Sequence, residues 1–137
     1  MDWGLIKTIA IVGISDNPER DSNKVAKYFI ENGYEIIPIN PNYSEILGLK
    51  CYSSLNDLPI EIKSKINMID IFRKSEFVFP LVQFVVTHKN EFKNLKVIWM
   101  QEGVSDYNAY TLATENGYDV VMNSCAMIKH SKLEFKL

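Results

Sequence analysis

The 137-residue chain carries 15 basic and 17 acidic residues, so its formal net charge is −2. Hydrophobic (47%) and charged (23%) fractions are ordinary for a globular protein, and the length predicts one domain, residues 1–137. This charge balance gives no reason to expect nucleic acid or a membrane as partner, and no apolar run approaches a bilayer span. Two cysteines without CxxC spacing favour neither a disulfide scaffold nor a zinc site, so we expect a cytoplasmic protein.

The first forty residues predict a strand–helix–strand unit. Thr8–Val12 is a short β-branched run ended by Gly13, which is typical of a strand buried on both faces. Asp21-Ser22 offers an N-cap for a helix that closes at Asn32-Gly33. The apolar run at residues 34–39 predicts a second strand, and the whole unit has the length of a parallel crossover.

The rest of the chain continues this alternation after an irregular segment at residues 42–65. Three further strands are predicted at residues 67–72, 97–100 and 119–122, and the helices between them begin at Pro80 and Tyr107. A short helix is expected at residues 127–133.

This element order predicts an α/β, Rossmann-like fold, a doubly wound parallel five-stranded sheet with helices on both faces. Numbering the strands along the chain, we expect the order 3-2-1-4-5. A ligand is then expected outside the carboxyl ends of the strands, beside strand 1.

The loop after strand 1 is the first candidate site. Gly13 permits close backbone approach, Ser15 and Ser22 carry hydroxyls, and Arg20 and Lys24 add positive charge where a helix start favours a phosphate. With one glycine, the loop matches neither the dinucleotide fingerprint nor a P-loop. Phosphate binding and a plain polar connection both fit this spacing. If it binds phosphate, a valine at Gly13 should abolish binding while the domain stays folded.

Three other loops open on the same edge of the predicted sheet. NAD-binding proteins usually place a carboxylate at the end of strand 2, where this chain has Asn40 and Pro41. A plain turn explains this pair, but the missing carboxylate also suits a phosphorylated ribose, as in coenzyme A or NADP. Phe72 and Arg73 are placed for an adenine and a phosphate, or are a core aromatic and a solvated charge. Gln101 either bonds a pantetheine arm or caps the next helix.

Six segments occur in order along nearly the whole chain. They are residues 11–15 with Pro18, Arg20 and Ser22; 33–41; 52–59; 69–76; 99–104; and 120–125 with His130. Together they resemble the Rossmann-type CoA-binding domain family in its small stand-alone form, which is related to the CoA-binding part of the succinyl-CoA synthetase alpha subunit. The resemblance implies that coenzyme A binds with its adenine near Asn40, Pro41 and Phe72. Its phosphates would lie on the loop from Gly13 to Lys24, which includes Ile14 and Pro18.

The last segment departs from the family. Asn123-Ser124-Cys125 stands where the family usually has Asp-Arg-Cys, and Lys129 replaces a glutamate before His130. The resemblance therefore implies the loss of an ion pair that ties the last helix down. We also expect Phe77, Phe79 and Phe84 to belong to the core.

Three functions remain open at this point. The chain binds CoA or acyl-CoA as a carrier, sensor or regulatory module; it is a small NADP-dependent or acyl-CoA-processing enzyme; or it is a protein-interaction subunit with a vestigial pocket. No arrangement of His, Cys, Asp or Glu in the sequence indicates a catalytic centre or a metal site. A homodimer or another protein partner is compatible with all three.

Overall fold

A parallel five-stranded sheet forms the centre of the computed structural model, which describes residues 1–134. Its strands are β1 (Thr8–Val12), β2 (Glu35–Ile39), β5 (Met68–Ile71), β6 (Val97–Met100) and β7 (Asp119–Val121), and a separate antiparallel hairpin pairs β3 (Glu45–Ile46) with β4 (Leu49–Lys50). The helices are α1 (Asp21–Glu31), α2 (Ile60–Lys63), α3 (Val78–Thr87), α4 (Tyr107–Glu115) and α5 (Ala126–Glu134).

The α/β, Rossmann-like fold is confirmed, but the expected strand order 3-2-1-4-5 is wrong. The observed order is β2-β1-β5-β6-β7, so the third predicted strand pairs with β1 instead of lying outside β2. Pro38 explains why, because its carbonyl points away from β1 and it has no N–H to offer a strand on that side. Tyr52 takes this position locally by donating its N–H to the Pro38 carbonyl.

Two apolar layers cover the sheet. Strand residues such as Ala10, Ile69 and Ile98 pack with α3 and α4 on one face. The alternate strand residues, including Ile11 and Trp99, pack with α1 and α5 on the other face. The crossovers therefore place α1 and α3 on opposite sides of the sheet, while the switch in connection direction falls between β1 and β5.

Some local features differ from the sequence expectations. Helix α1 has Arg20 at its N-cap instead of Asp21-Ser22, and Pro80 is the third residue of α3 instead of its first. A proline is accepted there because the first-turn N–H groups have no partner within the helix. Across the part of the chain described, no helix has both the length and the apolar character needed to cross a membrane.

Candidate functional site

A cleft of about 600 Å³ opens at the carboxyl edge of the sheet. This volume lies within the usual range for small-molecule sites, roughly 300–1,000 Å³. The cleft is lined by residues at the ends of β1, β2 and β5, by residues 53–56 and by residues 80, 81 and 84 of α3. It therefore lies at the switch between β1 and β5, where sheets of this type bind ligands.

The lining combines aromatic and cationic groups. Among the described residues that line the cleft, Arg73 and Lys74 are the only charged ones. The Arg73 guanidinium lies over the Phe77 ring, 4.1 Å from its centroid. This cation–π contact restrains the guanidinium while its N–H groups remain able to donate hydrogen bonds to an anion. An apolar lining with two cations suits a flat group that carries a phosphate.

Gly13 is required by the backbone itself. Its φ is +88°, and a Cβ added there would lie only 2.4 Å from the carbonyl oxygen of Phe72. The end of β1 therefore passes so close to the end of β5 that no side chain fits between them. A substitution at Gly13 strains the backbone before it meets a ligand, so we now expect Gly13→Val to destabilise the domain as well as to affect binding.

Asn40 connects the loops that follow β1 and β2. Its Nδ2 donates to the Ile14 carbonyl at 2.8 Å, and its Oδ1 accepts from the Asn42 N–H at 2.9 Å. Next to it, the Cys51 thiol donates to the Asn40 carbonyl at 3.5 Å. Burial raises the pKa of Cys51, which keeps this thiol protonated and unreactive at neutral pH.

A short serine-containing segment forms another part of the lining. Ser53 and Ser54 both border the cleft, and both hydroxyls donate to Oδ2 of Asp57. These hydrogen bonds lower the pKa of Asp57. The carboxylate thus orients the two serines without lining the cleft itself.

The loop from residue 14 to residue 24 is largely engaged with itself. Ser22 Oγ accepts from the Ser15 N–H at 2.9 Å, and the Ser15 hydroxyl accepts from the Asn17 N–H at 3.0 Å. Ile14 is fully buried in the core. In the described structure no side chain caps α1, and the Asn23 N–H donates to the Arg20 carbonyl, so the N–H groups of Asp21 and Ser22 remain available to an anion.

Gln101 anchors the last helix. It is only 3% exposed, and its Oε1 accepts from the Ala126 N–H at the start of α5, at 3.0 Å. Two roles were predicted for Gln101, contact with a pantetheine arm and capping of the next helix. In the structure it caps a helix, but this helix is α5 and not α4, the next one in the chain. Helix α4 is capped by Asp106 instead, which accepts from the Ala109 N–H.

The structure divides the twelve predicted binding residues into two groups. Five of them meet in the cleft: Gly13, Asn40, Pro41, Phe72 and Arg73. The other seven do not line it: Ile14, Ser15, Pro18, Arg20, Ser22, Lys24 and Gln101. Of these seven, the side chains of Pro18, Arg20 and Lys24 are exposed at or before the start of α1, so their part in binding stays a prediction.

Sequence interpretation missed the contribution of α3. Phe77, which was expected in the core, is 42% exposed and lines the cleft with Leu81 and Phe84. The available signal was the position of Phe77 beside the cationic pair Arg73-Lys74. Elsewhere in residues 1–134, no group of three or more His, Cys, Asp or Glu side chains is placed to hold a metal ion.

Comparisons with known proteins cover most of the chain. Residues 7–131 match a family model described as a CoA binding domain. The uncharacterized protein YneT of Bacillus subtilis is 38% identical over 126 residues, which cover 91% of this chain and 86% of YneT. A solved structure of a hypothetical protein from Pyrococcus horikoshii is 40% identical, with a TM-score of 0.82, covering 94% of this chain and 84% of that one.

A further similarity covers only part of the chain. Acetate–CoA ligase [ADP-forming] II of Archaeoglobus fulgidus is 36% identical over 58 residues, which are 41% of this chain and 9% of the ligase. The matched segment is therefore a small part of a much longer protein.

Proposed function

Since the chain belongs to the CoA-binding domain family, we propose that it binds coenzyme A, or an acyl-CoA, non-covalently. The observation that carries this proposal is the cleft itself. It joins an apolar and aromatic lining to two basic side chains, Arg73 and Lys74, at the ligand-binding edge of the sheet. The adenine of CoA is a flat group that fits the aromatic lining, and the ribose 3′-phosphate is an anion that fits the two basic side chains.

The proposed pose follows the two faces of the sheet. The adenosine end lies in the cleft on the α3 face, and its 3′-phosphate meets Arg73 or Lys74. The pyrophosphate crosses the edge above Gly13 and reaches the uncapped start of α1, where Arg20 and Lys24 supply positive charge. Gly13 carries no side chain above this path, and Asn40 holds the neighbouring loop in place.

Asn40 also supports selection of a phosphorylated ribose. A carboxylate at this position would favour an unmodified ribose and repel a phosphate. The amide removes that repulsion while it holds the Ile14 carbonyl. NADP carries a comparable phosphate, so the test must include it.

We propose that the bound cofactor is carried, sensed or used in regulation. The chain matches only 9% of the ligase named above, so ligation is not transferred to it. We place this role in the cytoplasm, where Cys51 and Cys125, both unpaired, stay reduced.

Calorimetric titration with CoA, dephospho-CoA, NAD and NADP at one salt concentration tests the proposal. The expected result is tight binding of CoA, weaker binding of dephospho-CoA and none of the dinucleotides. Preference for NADP would turn the assignment to redox chemistry. Failure of all four ligands would contradict cofactor binding and favour a protein-interaction role.

A matched pair of variants locates the site. Leu81→Glu puts a carboxylate into the cleft and should abolish CoA binding, whereas Leu133→Glu changes an exposed leucine on α5 and should leave it intact. Equal affinity in both variants would place the ligand outside the cleft.

A further inference from the structure

Asp70 is a carboxyl group without an evident partner in the middle of the sheet. It lies on β5, paired in register with Ile11 of β1 and Trp99 of β6, and it is 0% exposed. Within residues 1–134, no side chain hydrogen-bonds to either of its carboxylate oxygens, and the adjacent Ile71 N–H is the one backbone group that interacts with them. A buried and unpaired carboxylate is strongly disfavoured, and such a group is ordinarily neutralised by binding a proton.

A second orphaned acceptor lies in the same layer of the molecule. Asn23 of α1 is 1% exposed, and its Nδ2 donates to the Ser15 carbonyl at 2.9 Å. Its Oδ1 is buried and has no partner in the described part of the chain. Asn23 follows the helix start, and the α1 residues Val25 and Ala26 pack in one cluster with the strand neighbours of Asp70. Three acceptor atoms without a side-chain donor thus lie on the same face of the sheet, and a proton on the Asp70 carboxyl would supply a donor for one of them, Asn23 Oδ1.

We propose that Asp70 is a protonated positioning residue whose carboxyl donates a hydrogen bond to Asn23 Oδ1. The link ties the centre of β5 to α1 and, through Asn23 Nδ2, to the Ser15 carbonyl in the loop after β1. The same loop is held from the other side by Ser22. A neutral carboxyl beneath the sheet edge therefore sets the conformation of the loop that the proposed pyrophosphate crosses.

The surroundings of Asp70 support the neutral form. Burial raises the pKa of Asp70 well above its usual range, and the Ile71 N–H opposes this effect only in part. No ion pair involves Asp70 in the described residues. The other titratable groups of this layer come from α1, the segment after it, α5 and the neighbouring loops: Tyr28, Tyr34, Tyr43, Cys51, Cys125 and His130. Of these, the His130 imidazole lies between the hydroxyls of Tyr28 and Tyr34.

Urea unfolding of wild type and Asp70→Asn between pH 5 and pH 9 tests the protonation state. The folded wild type holds a proton that the unfolded chain has already released above the ordinary Asp pKa of about 4. Wild-type stability relative to Asp70→Asn should therefore fall as the pH rises, until the folded-state pKa is passed. The folding constant should drop tenfold per pH unit, about 1.4 kcal/mol. A difference that does not change with pH means that Asp70 is ionised, and it overturns the proposal.

Amide hydrogen exchange at Ser15 tests the positioning role. Asn at position 70 keeps a donor for Asn23 Oδ1, whereas Asp70→Val keeps the strand but removes the donor. Ser15 should stay protected in Asp70→Asn and exchange at least tenfold faster in Asp70→Val. Equal protection in the two variants, or equal loss, contradicts the link.

If Asp70→Val does not fold, the comparison of wild type with Asp70→Asn still tests the positioning role of Asp70. The protection of Ser15, corrected for the intrinsic rate, should decline with pH in wild type and remain constant in Asp70→Asn. Constant protection in both overturns the positioning role. All these measurements are made without ligand, so they stand or fail independently of CoA binding.

Discussion

The loop after β1 and the adjoining cleft each carry two basic side chains, yet their polar groups are used differently. In residues 13–24, Arg20 and Lys24 share the loop with three acidic residues, and Ser15 and Ser22 bond to each other. In the cleft, Arg73 and Lys74 are the only charged residues among the described lining, and the Arg73 guanidinium lies over the Phe77 ring. The polar groups of a motif that is contiguous in sequence can thus be engaged in hydrogen bonds within the motif itself. The residues that line the open cleft beside it come from elements far apart in the chain.

The two regions also lie on different faces. The loop leads into α1, which covers one face of the sheet, whereas the cleft borders α3 on the other. They meet at Gly13, so a ligand that uses both must pass over this residue. Substitutions that act on one region alone can therefore separate their contributions.

The largest effect is expected at the meeting point itself. Gly13→Ala places a Cβ 2.4 Å from the Phe72 carbonyl oxygen and should lower the free energy of unfolding by more than about 3 kcal/mol. Gly33→Ala is the control, since φ is +87° there and nothing lies within 4 Å of the added Cβ. It should cost only about 1–2 kcal/mol. Equal losses in urea unfolding would show that conformation alone, and not the contact with β5, requires Gly13.

The next prediction compares the contributions of Arg73 and Arg20 to CoA affinity. Arg73→Ala should weaken CoA binding by about 2–3 kcal/mol, because it removes a charged hydrogen-bond donor from the cleft. Arg20→Ala should cost about 1–3 kcal/mol if its side chain meets a phosphate, and nothing if it is solvated. Calorimetry of both variants ranks the regions. A larger loss for Arg20 would move the main phosphate contact from the cleft to the loop.

A smaller effect is expected for a substitution at Asn40, which should distinguish CoA from dephospho-CoA. Asn40→Asp puts a negative charge at the end of β2, where it repels the 3′-phosphate. CoA affinity should fall about tenfold more than dephospho-CoA affinity, a difference of about 1.4 kcal/mol. The ratio of the two dissociation constants is the measurement, and it cancels the loss of the bond to Ile14. An unchanged ratio would place the phosphate away from β2.

The smallest effect is expected at a contact between α1 and α5 that belongs to neither region. The Tyr28 hydroxyl lies 2.6 Å from His130 Nδ1, and this contact joins α1 to α5. Tyr28→Phe should reduce the free energy of unfolding by about 0.5–1.5 kcal/mol and leave CoA affinity unchanged. A change in affinity would show that the packing of α5 reaches the binding edge.

The sequence predicted the elements well where the apolar runs are continuous. Thr8–Val12 and Val97–Met100 match their predicted strands residue for residue, because β-branched and apolar runs without polar breaks suit strands covered on both faces. The β3–β4 hairpin was not predicted from the sequence because its strands have only two residues each. Its turn places Leu47 at φ 55°, a position with no Asn-Gly signal.

The strand order and the cleft were harder for physical reasons. Pro38 was a usable signal for an edge strand, but the order was inferred from the usual arrangement of two similar halves. Helix α3 is apolar almost all round, so its periodicity does not distinguish Val82, which packs on the sheet, from Phe84, which lines the cleft. The last helix shows the opposite case. The resemblance implied that an ion pair holding α5 is lost in this chain, yet the contacts of His130 and Gln101 hold α5 in place.

Pro38 also bears on how copies of this protein can associate. A strand added to the outside of β2 would find no amide to bond at Pro38 and would collide with the segment at Tyr52. Pairing of sheets from two molecules through this edge is thereby disfavoured. We therefore expect that a homodimer, if it forms, does not continue the sheet from β2 of one subunit into the next.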